Sequence, residues 1–582
     1  MDTAGVPTDT TAQHGRFRII ALLTAVALLW LATRRYFGVV FDARFYVLEA
    51  LRDLHPAAYA NDLYFQFGSQ GRFSVFTKLY LPLLPAFGVG TTGVILTVVG
   101  QLLWLLGLFC LARRLAGDRL MWLSMAVVIG MLPLYPGGFT YGEGYVTARL
   151  FAEAFVMMGL SQLSTRPLLA IAVLLLAAVL HPLMALPGLA VAFVWLALGQ
   201  PRWWLVMVGG VAAAAVLGMA GIAPFTNLLR TVDPAWLAVI KARSMQCLLS
   251  SWPRDWFEQA FAVIAWAVAA LVLAGPQHRR FLVAVLMVGV GGLACTYLGG
   301  DIAHNFLLIE LQPWRTLWLL QLVSRIYIPL LLMGVLARTS MDTFRWTVVI
   351  TMTLVTAACV ARLVRYPDAA DFTVISLALA IAGLAIMAAS LLAGENRRGI
   401  AVVAAVTGMA LIPVALSQWD ARPLWIRYVE SPQPPPKELT ALLPANASVY
   451  WEGGIEMLWF RMQRSSYFSC EQGTGVVFSR DTAMTYRRRA ASLWPLRTSD
   501  FYQSETCFAF DGQPQGRSRA GLAKLCAREP GLGYLVLTAP LDGLSAKAWQ
   551  PPMRFVDIHM SDSRYPARAT DRFYIYSCSQ TR

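Results

Sequence analysis

The chain has 582 residues, of which 57% are hydrophobic and only 14% are charged, and its mean hydropathy is +0.56. A soluble chain of this length is normally about a quarter charged, so this composition excludes an ordinary soluble globular protein. The formal net charge of +15 does not indicate nucleic-acid binding, because most of the surplus Lys and Arg lies in short loops between apolar runs, where basic residues set membrane topology.

Apolar runs of about the length that an α-helix needs to cross a bilayer, roughly 20 residues, follow one another along the first 417 residues. The first run is preceded by Arg16 and Arg18 and is not followed by a small-residue cleavage site, so we expect it to stay in the protein as the first span. We predict about thirteen transmembrane helices, at residues 17–34, 88–112, 119–136, 148–164, 167–180, 183–199, 203–222, 257–275, 281–299, 315–337, 346–363, 372–393 and 399–417.

Charged residues divide the connecting loops into two classes. Loops on one side are short and basic, as at 113–119, 279–280 and 397–398, whereas loops on the other side carry Asp and Glu. Because basic loops stay in the cytoplasm, this pattern predicts a cytoplasmic N-terminal tail at 1–16 and an extracytoplasmic chain after about Gln418. The Ala-, Leu- and Arg-rich composition indicates a multi-pass protein of a bacterial inner membrane, whose outer side is the periplasm.

The longest predicted outer loops lie at 35–87, 223–256 and 299–314, with a shorter one at 136–147, while the inner loops are brief. A channel or a simple transporter has little need of this asymmetry, whereas an enzyme that works at the outer face does. The first outer loop begins with the string FDARFYVLEALRDL, which predicts an amphipathic helix lying flat on the membrane. Its apolar residues recur at helical spacing, as Phe45, Leu48, Leu51 and Leu54.

A proline-rich linker at 418–440 separates the transmembrane module, residues 17–417, from a soluble region at 441–582. This region alternates short strand-like runs with helical stretches, so we predict a periplasmic α/β domain that is large enough to have its own core. The predicted strands are 448–451, 534–538, 553–558 and 573–576, and the predicted helices lie near 453–463, 479–491 and 518–528. Four cysteines predict two disulfides, with three pairings open: Cys470, Cys507, Cys526 and Cys578.

Asp42 is the first candidate for chemistry, because it stands at the membrane edge just beyond the first span. A carboxylate there is placed to take a proton from a hydroxyl group as it attacks an activated carbon. The alternative is that Asp42 only caps the N-terminus of the helix that follows it.

A second group of candidates lies in the string FTYGEGYVTARLFAE. Glycines flank Glu143 in a tight loop, and Arg149 follows at the start of the next span, where a charge is costly and is either paired or functional. We consider a substrate role for both residues and, as the alternative, a pair between Arg149 and Glu153 one helical turn away. His181, in a span broken at His181–Pro182, is placed to contact a phosphate or a sugar, or serves only in packing.

A third group lies at the outer end of a later span, in GGDIAHNFLLIELQPWRTLWLLQLVSR. We single out His304, Glu310 and Arg315 as candidate substrate-binding residues. The planar, permanently charged guanidinium of Arg315 suits a phosphate group. Snorkelling, or a salt bridge from Arg315 to Glu310, is the structural alternative. We see no phosphate-binding glycine loop and no compact set of metal ligands, so a divalent cation is optional and no cofactor is required.

Taken together, the long first outer loop with an acidic residue directly after the first span, the eleven to thirteen spans and the C-terminal outer domain resemble the GT-C superfamily of glycosyltransferases. The resemblance covers residues 17–417 as an architecture and is most specific at Asp42, where the family often places its catalytic base. A second acidic position, filled by Glu143 or Asp301, is common in the family. The sequence departs from the family in lacking a paired DD or DE in the first loop and a WWDYG-type motif.

The resemblance implies an inverting transfer of a sugar from a polyprenyl-phosphate carrier to a glycan or lipid acceptor at the periplasmic face. Asp42 would be the general base, and Arg315, helped by Arg149 or His181, would hold the phosphate. Two alternatives stay open: a lipid-linked glycan polymerase or ligase of another multi-span class, and a non-catalytic transporter or assembly protein. Asp42 separates the first alternative from the transferase, because only the transferase needs it.

Overall fold

The computed structural model describes residues 9–131, 140–222, 225–365, 372–393, 397–496, 498, 517–556 and 569–581. A helix occupies each of the runs that the sequence predicts as a span, and ten helices in the described residues are long and apolar enough to cross a membrane. The helices of nine or more residues are Asp9–Thr33, Ala43–Leu54, Leu84–Gly130, Ala148–Gln162, Pro167–Leu180, Pro182–Gly199, Arg202–Met219, Pro234–Arg243, Arg254–Leu273, Pro276–Cys295, Leu317–Ile326, Ile328–Leu336, Thr343–Arg365, Val374–Leu392, Arg398–Trp419, Arg480–Leu493 and Arg519–Arg528.

The chain is thus a multi-pass helical membrane protein, as predicted. The helix Leu84–Gly130 accounts for two of the predicted spans, because it is broken where Gly117 takes a φ of 70°. That left-handed conformation is readily available only to glycine. The predicted break at His181 is also present, since Pro167–Leu180 ends there and Pro182–Gly199 begins.

Small residues bring the helix that carries Arg149 close to its neighbour. A Cβ atom added to Gly107 would lie 2.6 Å from the carbonyl oxygen of Ala154, so the two backbones meet without an intervening side chain. This close approach is typical of helix pairs in membranes, where packing rather than water exclusion drives association. It holds Ala148–Gln162 against the long helix Leu84–Gly130.

The outer domain (residues 441–581) contains a four-stranded sheet in the order Val449–Trp451, Tyr534–Leu537, Phe573–Ser577 and Lys547–Trp549. The first two strands are parallel, and the other neighbours are antiparallel. The small sheet confirms the predicted α/β character, although the strand Lys547–Trp549 was not predicted. A second sheet pairs Phe555–Val556 with Ala569–Thr570, so the predicted strand 553–558 is shorter in the described residues and positions 557 and 558 lie outside them.

The prediction of disulfides in the outer domain is confirmed for Cys526 and Cys578, whose Cα atoms are 5.5 Å apart. The bond ties the helix Arg519–Arg528 to the end of the last strand. Cys470 is also disulfide-bonded, and Cys507 lies outside the described residues.

Two of the predicted outer loops contact the outer domain. Tyr59 of the first loop donates to the carbonyl of Trp459 at 2.6 Å, and Trp236 of a later loop donates to the carbonyl of Val476 at 2.7 Å. At the other end of the bundle, the basic loops contact one another, as where the Arg119 guanidinium lies 4.4 Å from the ring centre of Phe344. These two outer loops and the loops at Arg119 and Phe344 are therefore at opposite ends of the transmembrane helices.

The first-loop helix Ala43–Leu54 is present, but the expectation that it lies flat on the membrane is wrong. Every residue from Ala43 to Leu51 is buried, including Phe45 and Leu48. The helix is enclosed because its polar residues have partners inside the protein, such as Arg44 with Glu456 of the outer domain. It is a layer between the bundle and the outer domain.

Asp62 joins the first loop to the outer domain. Its carboxylate is fully buried and accepts hydrogen bonds from the Trp459 indole at 2.8 Å, the Ser466 amide at 2.8 Å and the Gln472 side chain at 2.7 Å. It also accepts from the amide of Tyr64 at 3.0 Å. Leaving a buried donor without its acceptor destabilises the folded state. These hydrogen bonds therefore stabilise the packing of the outer domain against the first loop.

Asp62→Ala leaves the indole of Trp459 and the backbone amide of Ser466 without their acceptor. We expect the free energy of unfolding of the outer domain to fall by roughly 2 to 4 kcal/mol. Thermal unfolding of the full chain in detergent, followed by protease sensitivity of the outer domain, measures this. Asp53→Ala, which removes a partly exposed pair with Lys78, is the control. Equal stabilities of the two variants would contradict the anchoring role.

Candidate active site at the outer membrane edge

Asp42 begins the first-loop helix, yet it does not cap it. Its side chain makes no hydrogen bond to the first turn and instead accepts from the Nη1 atom of Arg149 at 2.5 Å. The capping alternative is therefore wrong, because the carboxylate is directed across to another span. The preceding residue, Phe41, has a φ of 49°, a strained left-handed conformation for a bulky residue. Its ring lies 5.4 Å from that of Tyr145, which holds it there.

Arg149 bridges two carboxylates. Besides Asp42, its Nη2 and Nε atoms donate to Glu143 Oε1 at 2.6 and 3.0 Å. The hydroxyl of Thr147 donates to the other oxygen of Glu143 at 2.5 Å. The predicted pair between Arg149 and Glu153 is wrong, since Glu153 accepts from the indole of Trp104 and the amide of Gly142.

The three charged groups differ in exposure. The Glu143 side chain is 1% exposed and that of Arg149 is 5% exposed, whereas a third of the Asp42 side chain, 34%, is open. Asp42 is therefore the member of the group that a second reactant can reach. Glu143 is placed to hold Arg149 in position from behind.

The environment pushes the pKa values of the two carboxyl groups in opposite directions. Burial raises the pKa of Asp42, but the charge and hydrogen bond of Arg149, with help from Arg315 and Arg44, outweigh it and lower the pKa below its ordinary value. Burial also raises the pKa of Glu143, and there Arg149 does not compensate fully, so the pKa stays raised. Asp42 is thus ionised at neutral pH.

Two further predicted residues lie at the same place. His181 is within electrostatic reach of Arg315, Arg149 and Asp42, and its Nδ1 atom accepts from the amide of Met184 at 3.3 Å. We call Asp42, Tyr46, Glu143, Arg149, His181 and Arg315 the Asp42 cluster. The first outer loop reaches it from the side, since the hydroxyl of Ser74 donates to the carbonyl of Leu180 next to His181 at 2.5 Å.

Arg315 does not pair with Glu310, contrary to one alternative. Its Nε atom donates to the side chain of Gln312 at 2.9 Å, and Gln312 takes a φ of 50° at the end of a short helix. This turn directs Arg315 towards the cluster. The charges that bear on Glu310 are those of Arg72 and Arg230. Burial raises the pKa of Glu310, and these cations oppose the shift.

His304 and Asp301 are not brought into the cluster by any contact among the described residues. The carbonyl of His304 accepts from the amide of Val232 at 2.8 Å, and its φ is 46°. Asp301 accepts from the amides of Leu249 and Ser250 at 2.9 and 3.0 Å and so shapes an outer loop. Of Glu143 and Asp301, Glu143 is therefore the one that lies in the Asp42 cluster.

Two residues of the first-loop helix were missed. Tyr46 lies one helical turn after Asp42, and its buried hydroxyl is within electrostatic reach of Asp42, Glu143 and Arg149. Its spacing of four from Asp42 was a usable signal. Arg44 pairs at 2.6 Å with Glu456 of the outer domain, and no sequence signal links these two positions.

Among the described ranges, no group of three or more His, Cys, Asp or Glu side chains is gathered to hold a metal ion. The two carboxylates of the Asp42 cluster are instead turned to an arginine. The arrangement offers an ionised, accessible carboxylate beside two guanidinium groups, which suits proton abstraction next to a bound anion.

No protein-family model matches the sequence, and no curated protein matches it. Among solved structures, the chain is similar to ArnT from Cupriavidus metallidurans in the apo state, with a TM-score of 0.40 and 14% sequence identity. The likeness covers 83% of this chain and 91% of that one. A likeness at this level does not decide what the chain does, so the function has to be argued from the site.

Arg149 is buried between two carboxylates. The effects on the free energy of unfolding of substituting Arg149 and of substituting one of these carboxylates should therefore not be additive. We expect Arg149→Met to lower the free energy of unfolding by roughly 3 to 5 kcal/mol, since Glu143 is then buried without its cation. Arg149→Met combined with Glu143→Gln should lose less than the sum of the two single variants. Thermal unfolding in detergent completes the cycle, with exposed Arg166→Met as the control. Strict additivity would show that the pair is not coupled.

Proposed function

We propose that this protein is a membrane glycosyltransferase of the GT-C type, which moves a sugar from a polyprenyl-phosphate carrier to a glycan or lipid acceptor with inversion. The observation that supports this most directly is the ionised, partly open carboxylate of Asp42 beside the guanidinium groups of Arg149 and Arg315, at the outer edge of a helical bundle. We place the protein in a bacterial inner membrane, with a cytoplasmic N-terminus and a periplasmic outer domain.

In this proposal the acceptor hydroxyl oxygen attacks the anomeric carbon from the face opposite the phosphate. The bond from that carbon to the phosphate oxygen breaks, and its electron pair leaves with the polyprenyl phosphate. The proton of the acceptor hydroxyl goes to Asp42. Arg315 and Arg149 offset the negative charge that grows on the leaving phosphate.

Arg149 has a double role in this proposal. While it is bonded to Asp42, it keeps the carboxylate ionised but also makes it a weak base. A donor phosphate competes for the same guanidinium, because phosphate and carboxylate both accept from its fork of N–H groups. We infer that donor binding draws Arg149 away from Asp42 and makes the carboxylate more basic when the sugar is in place. His181 and Tyr46 would then contact the sugar or the phosphate, and Glu143 would remain the partner of Arg149.

The first test compares wild type with Asp42→Asn in detergent, using a panel of radiolabelled polyprenyl-phosphate sugars. We expect transfer to fall by about a hundred- to ten-thousandfold, the usual contribution of a general base. Asp53→Asn, on the same helix but paired with Lys78, should keep full activity. Transfer that survives in Asp42→Asn would favour a polymerase or ligase of another class. Absence of transfer from every donor in the wild type would favour a transporter or an assembly protein.

The lowered pKa of Asp42 predicts where kcat/KM falls on the acidic side of its pH profile. Since protonated Asp42 cannot act as a base, kcat/KM should fall only below the ordinary carboxyl value of 3.8 in wild type. Arg149→Gln removes the group that lowers this pKa, so the limb of the residual activity should move to higher pH. Arg315→Gln should move it less, because the charge of Arg315 acts on Asp42 more weakly. A limb that stays in place in Arg149→Gln would mean that Asp42 is not the titrating base.

A further inference from the structure

An open cavity of about 540 Å³ lies between the proline-rich linker and the sheet of the outer domain, away from the residues of the Asp42 cluster. We call it the linker cavity. Its lining combines two aromatic rings, two side-chain amides, prolines and one charge of each sign. The lining residues are Tyr428, Gln433, Pro434, Pro436, Glu438, Arg461, Trp549, Gln550 and Pro552.

Arg461 forms the buried floor of the linker cavity and is only 5% exposed. Its Nη1 atom donates to the carbonyl of Ser431 at 3.1 Å, and its Nη2 atom donates to Gln433 at 3.3 Å. Its Nε atom is buried without a hydrogen-bond partner, and no carboxylate of the described residues forms an ion pair with Arg461. Carbonyl and amide oxygens thus solvate the guanidinium but do not neutralise it, and its positive charge bears on the cavity.

The rest of the lining suits a sugar better than a lipid headgroup. Gln433 and Gln550 are exposed and carry both donors and acceptors, as sugar hydroxyl groups require. The half-buried ring of Tyr428 contributes apolar surface beside the Arg461 guanidinium, which lies 4.7 Å from the ring centre. An anionic membrane surface is bound by clusters of Lys and Arg, whereas here a single arginine stands beside the exposed carboxylate of Glu438.

A short π-helical segment, Met457–Arg461, connects the linker cavity to the Asp42 cluster. Such segments are frequent at functional sites. Glu456 directly before it pairs with Arg44, whose charge acts on Asp42, and Arg461 ends it in the cavity. The backbone of Trp459, in between, accepts from Tyr59 of the first loop. A ligand in the cavity therefore contacts a segment that is linked through Glu456 and Arg44 to the surroundings of Asp42.

We propose that the linker cavity binds a glycan segment that carries an anionic group, a uronate carboxylate or a phosphate substituent, and that this segment belongs to the acceptor. The acceptor role rests on the proposed transferase function, whereas the binding itself does not. Arg461 supplies the positive charge for the anionic group, and the two glutamine side chains hydrogen-bond the sugar hydroxyl groups. The ring of Tyr428 packs against the apolar face of a sugar ring.

Calorimetry on the full chain in detergent tests the binding, with a galacturonate trisaccharide as the probe and its neutral methyl ester as the comparison. We expect saturable binding of the acid and weaker binding of the ester. Gln550→Ala, at an exposed position, should weaken binding by about two- to tenfold, the range for one hydrogen bond. Glu438→Gln should strengthen it by about two- to fivefold, because a repelling charge is removed. Asp481→Asn removes an exposed carboxylate elsewhere in the outer domain and should change nothing.

Equal binding of acid and ester, no saturable binding of the acid, or equal effects of Glu438→Gln and Asp481→Asn would each overturn the proposal. Competition by phosphatidylglycerol vesicles but not by sugar would assign the cavity to lipid and also overturn it. Asp42→Asn keeps the two proposals apart, since it should abolish transfer while leaving probe binding intact. Transfer without probe binding would refute the cavity alone, and probe binding without transfer would refute the transferase alone.

Discussion

The bridge from Arg149 to Asp42 and Glu143 is the interaction on which the rest of the outer face depends. Burying an arginine to 5% exposure has a large desolvation penalty, and only close, hydrogen-bonded carboxylates offset it. The bridge fixes the start of Ala148–Gln162, the loop before it and the start of the first-loop helix relative to one another. Removing Arg149 leaves two carboxylates without their cation at the same depth. The geometry of the cluster is for this reason strongly determined.

The outer domain also helps to fix the position of the first-loop helix. Asp62 accepts from three of its residues, and Arg44 reaches across to Glu456. The first-loop helix is buried from both sides, because the bundle covers one face and the outer domain covers the other. The apolar cores are continuous through this layer, since Trp459 packs in the same cluster as Phe45. The position of Asp42 is therefore set by both halves of the chain.

Hydropathy was sufficient to predict the spans, because a run of about 20 apolar residues has few other uses. The charges of the loops predicted which side of the bundle is cytoplasmic. The strands at Val449–Trp451 and Tyr534–Leu537 were predicted because they are apolar runs, whereas Lys547–Trp549 was missed because a three-residue edge strand with a polar start has no such pattern. The burial of the first-loop helix was missed for a different reason: an amphipathic pattern is the same whether the apolar face meets lipid or protein.

Within the candidate site, residue type and depth predicted which side chains carry charge, but not which of them meet. Asp42, Glu143, Arg149, His181 and Arg315 were singled out and lie together, whereas His304 shares only the loop of Arg315. Whether Asp42 caps its helix or bonds a distant arginine depends on how two spans pack, and no local pattern contains that information.

The difference between the two carboxylates of the cluster decides the proposed division of roles. Both are bonded to the same guanidinium, so charge alone does not distinguish them. Burial distinguishes the two carboxylates, because a group that exchanges a proton with a second reactant has to contact it. Glu143 is enclosed by Thr147 and Arg149. Asp42 is one-third open and has its pKa lowered, whereas the pKa of Glu143 is raised. The same arginine thus keeps one carboxylate ionised at the surface and is itself held in place by the other.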